Sequence, residues 1–394
     1  MSADASWEIP EELRMIRDTV RRFMVQEVKP LEDKLPHDAY TLPDAELKAL
    51  QAKAQEVGIW NVQTPVEYGG AGLSLLGQCV VAEEASKCRM GAYVAACGAF
   101  GFDPPNVIWN GTRRQIEKYG IPTAAAGEKT FVAISEPGGG SDPGRAVATR
   151  AERRGDRYVI NGTKLWISGA GQAKWGIVFA RTGGKGRDGI SSFIVEKDRP
   201  GLTLQPVPVI RSYYPYELHF EDYEVPVEDR LGEEGQGFRF AETWLVHERP
   251  PYAAATIGIA QAALDIAIAW ARERQTFGSR LADRQAIQWM IADSEIELRA
   301  ARLMVYQAAA RADRGLDIKV DASACKVFGT ETAGRVVDRC IQILGGMGVA
   351  QEVPLERWYR ELRIKRIGEG PSEVHRMVLA RDLLGGQPRP QQRA

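Results

Sequence analysis

The period of the apolar residues changes twice along this chain, and those changes limit its fold more than any other feature. From Pro10 to about Ala126 the period is helical: Leu13, Ile16, Val20, Phe23 and Met24 follow at steps of three, four, three and one. Loop chemistry interrupts it at Tyr68-Gly69-Gly70-Ala71-Gly72 and at Asp103-Pro104-Pro105. From about Lys129 to Glu233 short strands replace helices. Tyr158 to Ile167 reads as two strands around an Asn161-Gly162 turn, and Gly176–Ala180, Ser192–Val195 and Leu202–Val207 as further strands, the last ending on an edge-tolerant Pro206. From Gly235 helix returns. Ala253 to Ala271 is apolar almost all round, as a helix inside a bundle is. Ile287, Ile291, Ser294, Leu298, Ala301 and Val305 form one packing stripe, and Ile318 to Leu344 stops at Gly345-Gly346. Helices, then strands, then helices, with no βαβ alternation, give an α+β chain rather than a doubly wound sheet. The expected boundaries are 1–128 for a helical domain, 129–234 for a small β-barrel or sandwich, and 235–394 for a second helical domain.

Composition removes several classes of function. A formal net charge of -1 does not suggest a polyanionic partner such as nucleic acid. No run approaches the roughly 18 consecutive apolar residues of a membrane span, and Met1 to Trp7 lacks the apolar core of a signal peptide. The polar stretch from Gly385 to Ala394 reads as a disordered tail. The five cysteines, odd in number and without a CxxC pair, read as reduced buried side chains in a cytoplasmic protein. Four histidines without ligand spacing imply no metal.

Four segments carry chemistry. In Ile134-Ser135-Glu136-Pro137-Gly138-Gly139-Gly140-Ser141-Asp142 the glycines let backbone amides approach an anion while two serines offer hydroxyls, although a solvent loop between domains has the same composition. It matches neither the dinucleotide fingerprint GxGxxG nor the phosphate loop GxxxxGK[ST]. Lys164-Leu165-Trp166-Ile167-Ser168 places an indole and a hydroxyl at a strand end, which suits a ring-shaped cofactor or a core tryptophan. Arg274-Gln275-Thr276-Phe277-Gly278, followed by Gln285, breaks out of an apolar helix as a phosphate site or a helix cap. In Ile367-Gly368-Glu369-Gly370-Pro371-Ser372-Glu373 a carboxylate stands between two glycines, a poor choice for a purely structural turn.

Together, in this order, these segments resemble the FAD-dependent acyl-CoA dehydrogenase family over nearly the whole chain. The family's two signature regions look like Ile134–Asp142 and Gln342–Arg376, and Glu67-Tyr68-Gly69-Gly70-Ala71-Gly72 also matches. The resemblance implies a C-terminal four-helix bundle, a homotetramer and bound FAD. Val132, Ile134, Ser135, Trp166 and Ser168 would hold the flavin. Arg274, Thr276, Phe277, Leu281, Gln285, Gln342 and Gly346 would reach the adenine and phosphate portion of a neighbour's FAD. Ser141, Arg249 and Gly370 would lie on the acyl-CoA substrate. Glu369 occupies the family's commonest base position, and Glu248 matches the alternative one. The base takes an α-proton from the thioester, the β-hydrogen leaves as hydride to the flavin, and electrons pass to electron-transfer flavoprotein. An oxygen-using flavoenzyme on the same scaffold, such as an acyl-CoA oxidase or a monooxygenase, is the competing expectation. Pro371, Gly169 and Val246 depart from the family pattern and mark a divergent subgroup. Tyr213, Tyr214 and Tyr216, with residues near Tyr93 and Phe100, are the expected specificity region, although a polar-edged surface loop would have the same composition.

Overall fold

The computed structural model describes residues 9–385. The expectations for Met1 to Trp7 and for the tail beyond Gly385 fall outside the described residues. In chain order the principal elements are helices α1 Glu11–Phe23, α2 Asp44–Glu56 and α3 Leu75–Ala85, then strands β1 Phe131–Ala133, β2 Arg150–Arg154, β3 Arg157–Ile167, β4 Trp175–Arg181, β5 Ile190–Glu196, β6 Leu202–Pro206, β7 Tyr216–Pro226 and β8 Arg230–Leu231. Helices α4 Gly237–Glu273, α5 Gln285–Asp313, α6 Lys319–Leu344, α7 Leu355–Lys365 and α8 Ser372–Leu383 follow. The α+β order of helices, strands and helices stands as read. The chain forms two compact units: one holds the described residues up to 19 with 75–92 and everything from 246 onward, and the other holds 20–74 and 93–245.

The first unit is a helical bundle. Ile9, Leu13 and Val80 form a buried cluster flanked by Ile16, Leu76 and Tyr306, so the apolar stripe of α1 lies against α3 and α5. Ser294, Leu298, Ala301 and Val305 of α5 are buried, as their spacing requires, and α5 packs on α6. Asp313, at the end of α5, accepts hydrogen bonds from the Leu75 and Leu76 amides at 2.7 and 3.1 Å and so caps the N-terminus of α3. Buried Glu83 is held by Arg302 Nε at 2.8 Å and the Tyr306 hydroxyl at 2.8 Å. Helix α4 passes close to α3: a Cβ on Gly258 would stand 1.9 Å from the Glu83 carbonyl oxygen, a contact only glycine permits. By length and composition α4 is apolar enough to cross a membrane. Its apolar window is 56% buried inside the fold, where Ala253, Ile257, Ala260, Leu264 and Ala267 are inaccessible, as in the central helix of a bundle. The helix begins at Gly237, well before the apolar run, and carries Pro250 and Pro251 inside it.

The second unit is built on one eight-stranded sheet of order β6-β7-β3-β2-β4-β5-β8, with β1 pairing parallel to β4. Strands β4 and β5 are buried on both faces. Val178, Ala180, Phe193 and Val195 enter one apolar cluster, and Trp175, Ile177, Phe179 and Ile194 enter the other. Tyr158 to Ile167 corrects the sequence reading. It is one continuous strand, not a hairpin, and Asn161-Gly162 forms an irregularity in its pairing with β7 rather than a turn. Asn161 is instead tied to the facing strand, its Oδ1 accepting the Asp222 amide at 2.8 Å. Strand β2, five residues with four charges, carries no apolar alternation to reveal it.

Candidate active site

In the helical unit, chemistry collects at the link between α7 and α8. Between Lys365 and Ser372 the chain passes from α7 to α8 through two left-handed residues, Glu369 at φ 55° and Gly370 at φ 98°. Glycine adopts that geometry freely, whereas a glutamate held there costs roughly 1–3 kcal/mol. Side chains hold the turn by both carbonyls. Arg249 donates to the Glu369 carbonyl from Nε and Nη2, each at 3.4 Å, and His375 Nε2 lies 3.2 Å from the same oxygen. A carbonyl only accepts, so Nε2 is the protonated ring nitrogen. Lys326 Nζ, from α6, donates to the Gly370 carbonyl at 2.6 Å.

The Glu369 residue is half-buried, but its carboxylate Oε2 is fully enclosed and has no hydrogen-bond partner. Burial pushes this carboxyl above the usual glutamate range, while Lys365, Arg249 and Lys326 oppose the rise. Burial likewise lowers His375 to about 3, aided by Arg249 and Lys326, so the ring is neutral. Lys326, with no accessible surface, is lowered to about 8 by burial, and Glu369 pulls it back upward. Lys365 Nζ sits 3.9 Å from the centre of the Tyr252 ring. Glu248 and Arg249 are adjacent half-buried residues of α4.

Also in this unit, the segment after α4 forms a small antiparallel hairpin, Gln275–Thr276 against Ser279–Arg280, with Phe277 at its tip in a left-handed conformation. Phe277 is 99% exposed, its ring facing only the Arg284 guanidinium, 5.9 Å from its centre, among the described residues. Arg284 Nη2 donates to the Thr276 carbonyl at 2.7 Å and steadies the hairpin. Arg274, Gln285, Gln342 and Gly346 are exposed, and Leu281 is half-buried.

In the sheet unit, Val132, Ile134 and Ser135 are half-buried in and after β1, and Ser141 is exposed. The 134–136 segment is pinned to β3: the Leu165 amide donates to Ser135 O at 2.9 Å, and Lys164 Nζ donates to Ile134 O at 3.1 Å and to Glu136 Oε1 at 2.7 Å. Glu136 in turn accepts the Ala148 and Thr149 amides at 2.7 and 3.0 Å. Trp166 is left-handed, at φ 68°, and its side chain stands out from the strand with the residue 54% exposed. Ser168 accepts Arg211 Nη2 at 3.2 Å, and the buried Arg211 guanidinium stacks 3.5 Å above the Tyr93 ring. Of the expected specificity residues, Tyr213 and Tyr93 come together at 5.9 Å, and Tyr40 joins Tyr213 at 5.2 Å. Phe100 packs on Phe23 instead, and Tyr214 is exposed.

The family comparisons agree with this architecture. Residues 10–128, 132–223 and 235–384 match the N-terminal, middle and C-terminal domains of acyl-CoA dehydrogenase, respectively. The chain belongs to the acyl-CoA dehydrogenase family. It is 37% identical to the short-chain specific acyl-CoA dehydrogenase of Bos taurus mitochondria over 96% of this chain and 92% of that one. The structure of butyryl-CoA dehydrogenase from Megasphaera elsdenii superposes with a TM-score of 0.85 at 30% identity, covering 96% of this chain and all (100%) of that one. A chain described under the electron transferring flavoprotein of Acidaminococcus fermentans matches with a TM-score of 0.87 at 33% identity, over 96% of this chain and 99% of that one. Acyl-CoA dehydrogenases are oxidoreductases acting on CH–CH bonds and depend on FAD. The residues present suit that cofactor: Trp166 offers an exposed indole and Ser168 a hydroxyl beside it, while Phe277 projects a bare aromatic ring from the hairpin tip.

Sequence reasoning singled out Glu369, Arg249 and Gly370, and the structure brings them together, Arg249 of α4 donating to the turn formed by the other two. It missed Lys326, Lys365 and His375. Lys326 left a signal, because a lysine interrupts the small and apolar face of α6 formed by Ala322, Cys325, Gly329 and Ala333.

Proposed function

We propose that this protein dehydrogenates an acyl-CoA thioester to the trans-2-enoyl-CoA, with Glu369 as the base. The observation that carries the assignment is the turn itself. An enclosed carboxylate oxygen without a partner sits on a strained left-handed residue, an arrangement that costs stability and has no packing purpose. A carboxylate relieved of water is a stronger base, and the α-proton of a thioester is weakly acidic, so proton removal needs that gain. Charge then develops on the thioester oxygen. The Glu369 amide makes no hydrogen bond among the described residues and is free to donate there. Trp166 and Ser168 would flank the flavin ring, whereas Arg274, Thr276, Phe277, Leu281, Gln285, Gln342 and Gly346 would meet the adenine and phosphates of a neighbouring subunit's FAD. Ser141 and Arg249 would lie on the substrate. FAD, when bound, supplies the electron sink that accepts the β-hydrogen as hydride. Electron-transfer flavoprotein is the proposed acceptor, the homotetramer the proposed assembly, and the cytoplasm the proposed location.

Anaerobic titration of the yellow protein with a panel of acyl-CoA esters tests the reading. Loss of the flavin absorbance on addition of one of them is expected. Purified protein without FAD, or a flavin that no acyl-CoA bleaches, would overturn it.

A further inference from the structure

We infer that Lys326 is a positioning residue for the base: its ammonium fixes the Gly370 carbonyl and so holds the left-handed Glu369–Gly370 turn that presents the carboxylate. This rests on the proposed role of Glu369 and deepens it. Three observations carry the inference. Lys326 has no exposed surface, yet lysine is among the side chains least often buried. Its Nζ spends its shortest contact, 2.6 Å, on a backbone carbonyl rather than on an acid. That carbonyl belongs to the residue directly after Glu369, where φ is 98°. The adjoining carbonyl, of Glu369, is held independently by Arg249 of α4 and His375 of α8. The turn therefore hangs between three helices. Without Lys326 the Gly370 peptide could rotate, because glycine resists no change of φ.

The same ammonium acts electrostatically. Lys365 from α7, Arg249 from α4 and Lys326 from α6 face Glu369 and oppose the upward push of burial. Glu369, Glu373, Glu331 and Arg249 face Lys326 in turn, and the neutral His375 adds no charge. Removing the Lys326 charge leaves the carboxyl higher still, so a larger share of the base is protonated at any given pH. A lysine that served only as packing would not move that equilibrium.

Two substitutions separate the roles. Lys326→Met removes both donor and charge. It is expected to lower kcat about 10- to 100-fold with little change in KM, because Lys326 does not touch substrate. It should also move the acid limb of the kcat/KM profile to higher pH. Lys326→Gln keeps a donor without the charge, so it should move the acid limb likewise while losing less of kcat. The Gln variant is read if the Met variant does not fold. A turnover-free measurement runs alongside, in which the infrared carboxyl band absent from Glu369→Gln is titrated in FAD-loaded protein. In both Lys326 variants that band should titrate at higher pH than in wild type. An unmoved acid limb and band, or a variant that raises KM while leaving kcat intact, overturns the inference. If wild type turns over no acyl-CoA, the proposed function fails, whereas the infrared titration still decides the role of Lys326.

Discussion

At the scale of single residues, Glu369 and Glu248 are the two candidates for one task, and the structure distinguishes their settings. Glu369 stands on a three-helix turn with an enclosed oxygen, whereas Glu248 is a half-buried residue within a continuous helix. Glu369→Gln is expected to reduce the rate of flavin bleaching by about 10²–10⁴-fold, the usual contribution of a general base, and Glu248→Gln only to weaken it. Stopped-flow absorbance checks the ranking, and the reverse order would move the base to α4. The pH dependence follows from the raised carboxyl. The base works only when ionised, so kcat/KM falls as pH falls through a value above the ordinary glutamate range. Stability runs the other way: the folded state holds this proton more tightly than the unfolded chain, so ionising it at neutral pH costs stability. Glu369→Gln should therefore melt a few degrees higher than wild type at pH 7, and the difference should vanish below pH 4. Calorimetry at the two pH values decides it. Glu369 stands out in the sequence because a carboxylate between glycines is locally odd. His375 and Lys365 do not, since their importance lies in how they face the Glu369 turn, which no local pattern records.

At the scale of elements, the helices and the apolar strands were readable, and the charged or very short strands were not. The stripe from Ile287 to Val305 and the stop at Gly345 became α5 and the end of α6, because one-sided burial forces a period into the sequence. Strand β2 is charged, β1 has three residues, and Asn161-Gly162 proved to be an irregularity inside β3. In each, tertiary pairing prevailed over local turn or strand preference. One contact fixes the proposed flavin segment to this framework: the Lys164–Glu136 pair, 2.7 Å apart and almost wholly buried. Burial pushes the Glu136 carboxyl upward, but Lys164 and the donors from Thr149 and Ala148 outweigh it and hold it below the usual value. Burial lowers Lys164 to about 8, so both groups are charged at neutral pH. Lys164→Met strands a buried carboxylate and is expected to cost about 3–5 kcal/mol, read by denaturant unfolding. Because the Glu136 value is depressed on folding, its contribution is intact above the ordinary glutamate range and disappears as pH falls through the folded value. The variant should accordingly lose its deficit in acid. A deficit that persists unchanged at low pH would assign the loss to packing instead of charge.

At the scale of the whole molecule, helix α5 presents a face that the chain does not use. Trp289, Ile296 and Leu303 recur every seven residues, are 62%, 65% and 45% exposed, and sit on the same helix whose opposite stripe is buried. A long apolar stripe left in water invites association, and a seven-residue repeat is the geometry by which one helix lies along another. The bare Phe277 ring, from the hairpin just before α5, points to the same conclusion, because side chains at that hairpin are the ones proposed to meet a neighbour's cofactor. In the proposed assembly, FAD retention and association are one property: subunits that separate would expose both the stripe and the adenine end of the cofactor. Replacing Trp289, Ile296 and Leu303 together by Asp places three charges on the contact without touching the buried stripe of α5. The expected outcome in light scattering is a species smaller than wild type, with the helical circular-dichroism signal retained. Its FAD should dissociate at a dilution at which wild type remains yellow, because the proposed contribution of the neighbour to the site has gone. A triple variant that keeps the wild-type size would remove α5 from the proposed interface, and one that becomes smaller yet keeps its FAD would place the whole cofactor site within a single chain.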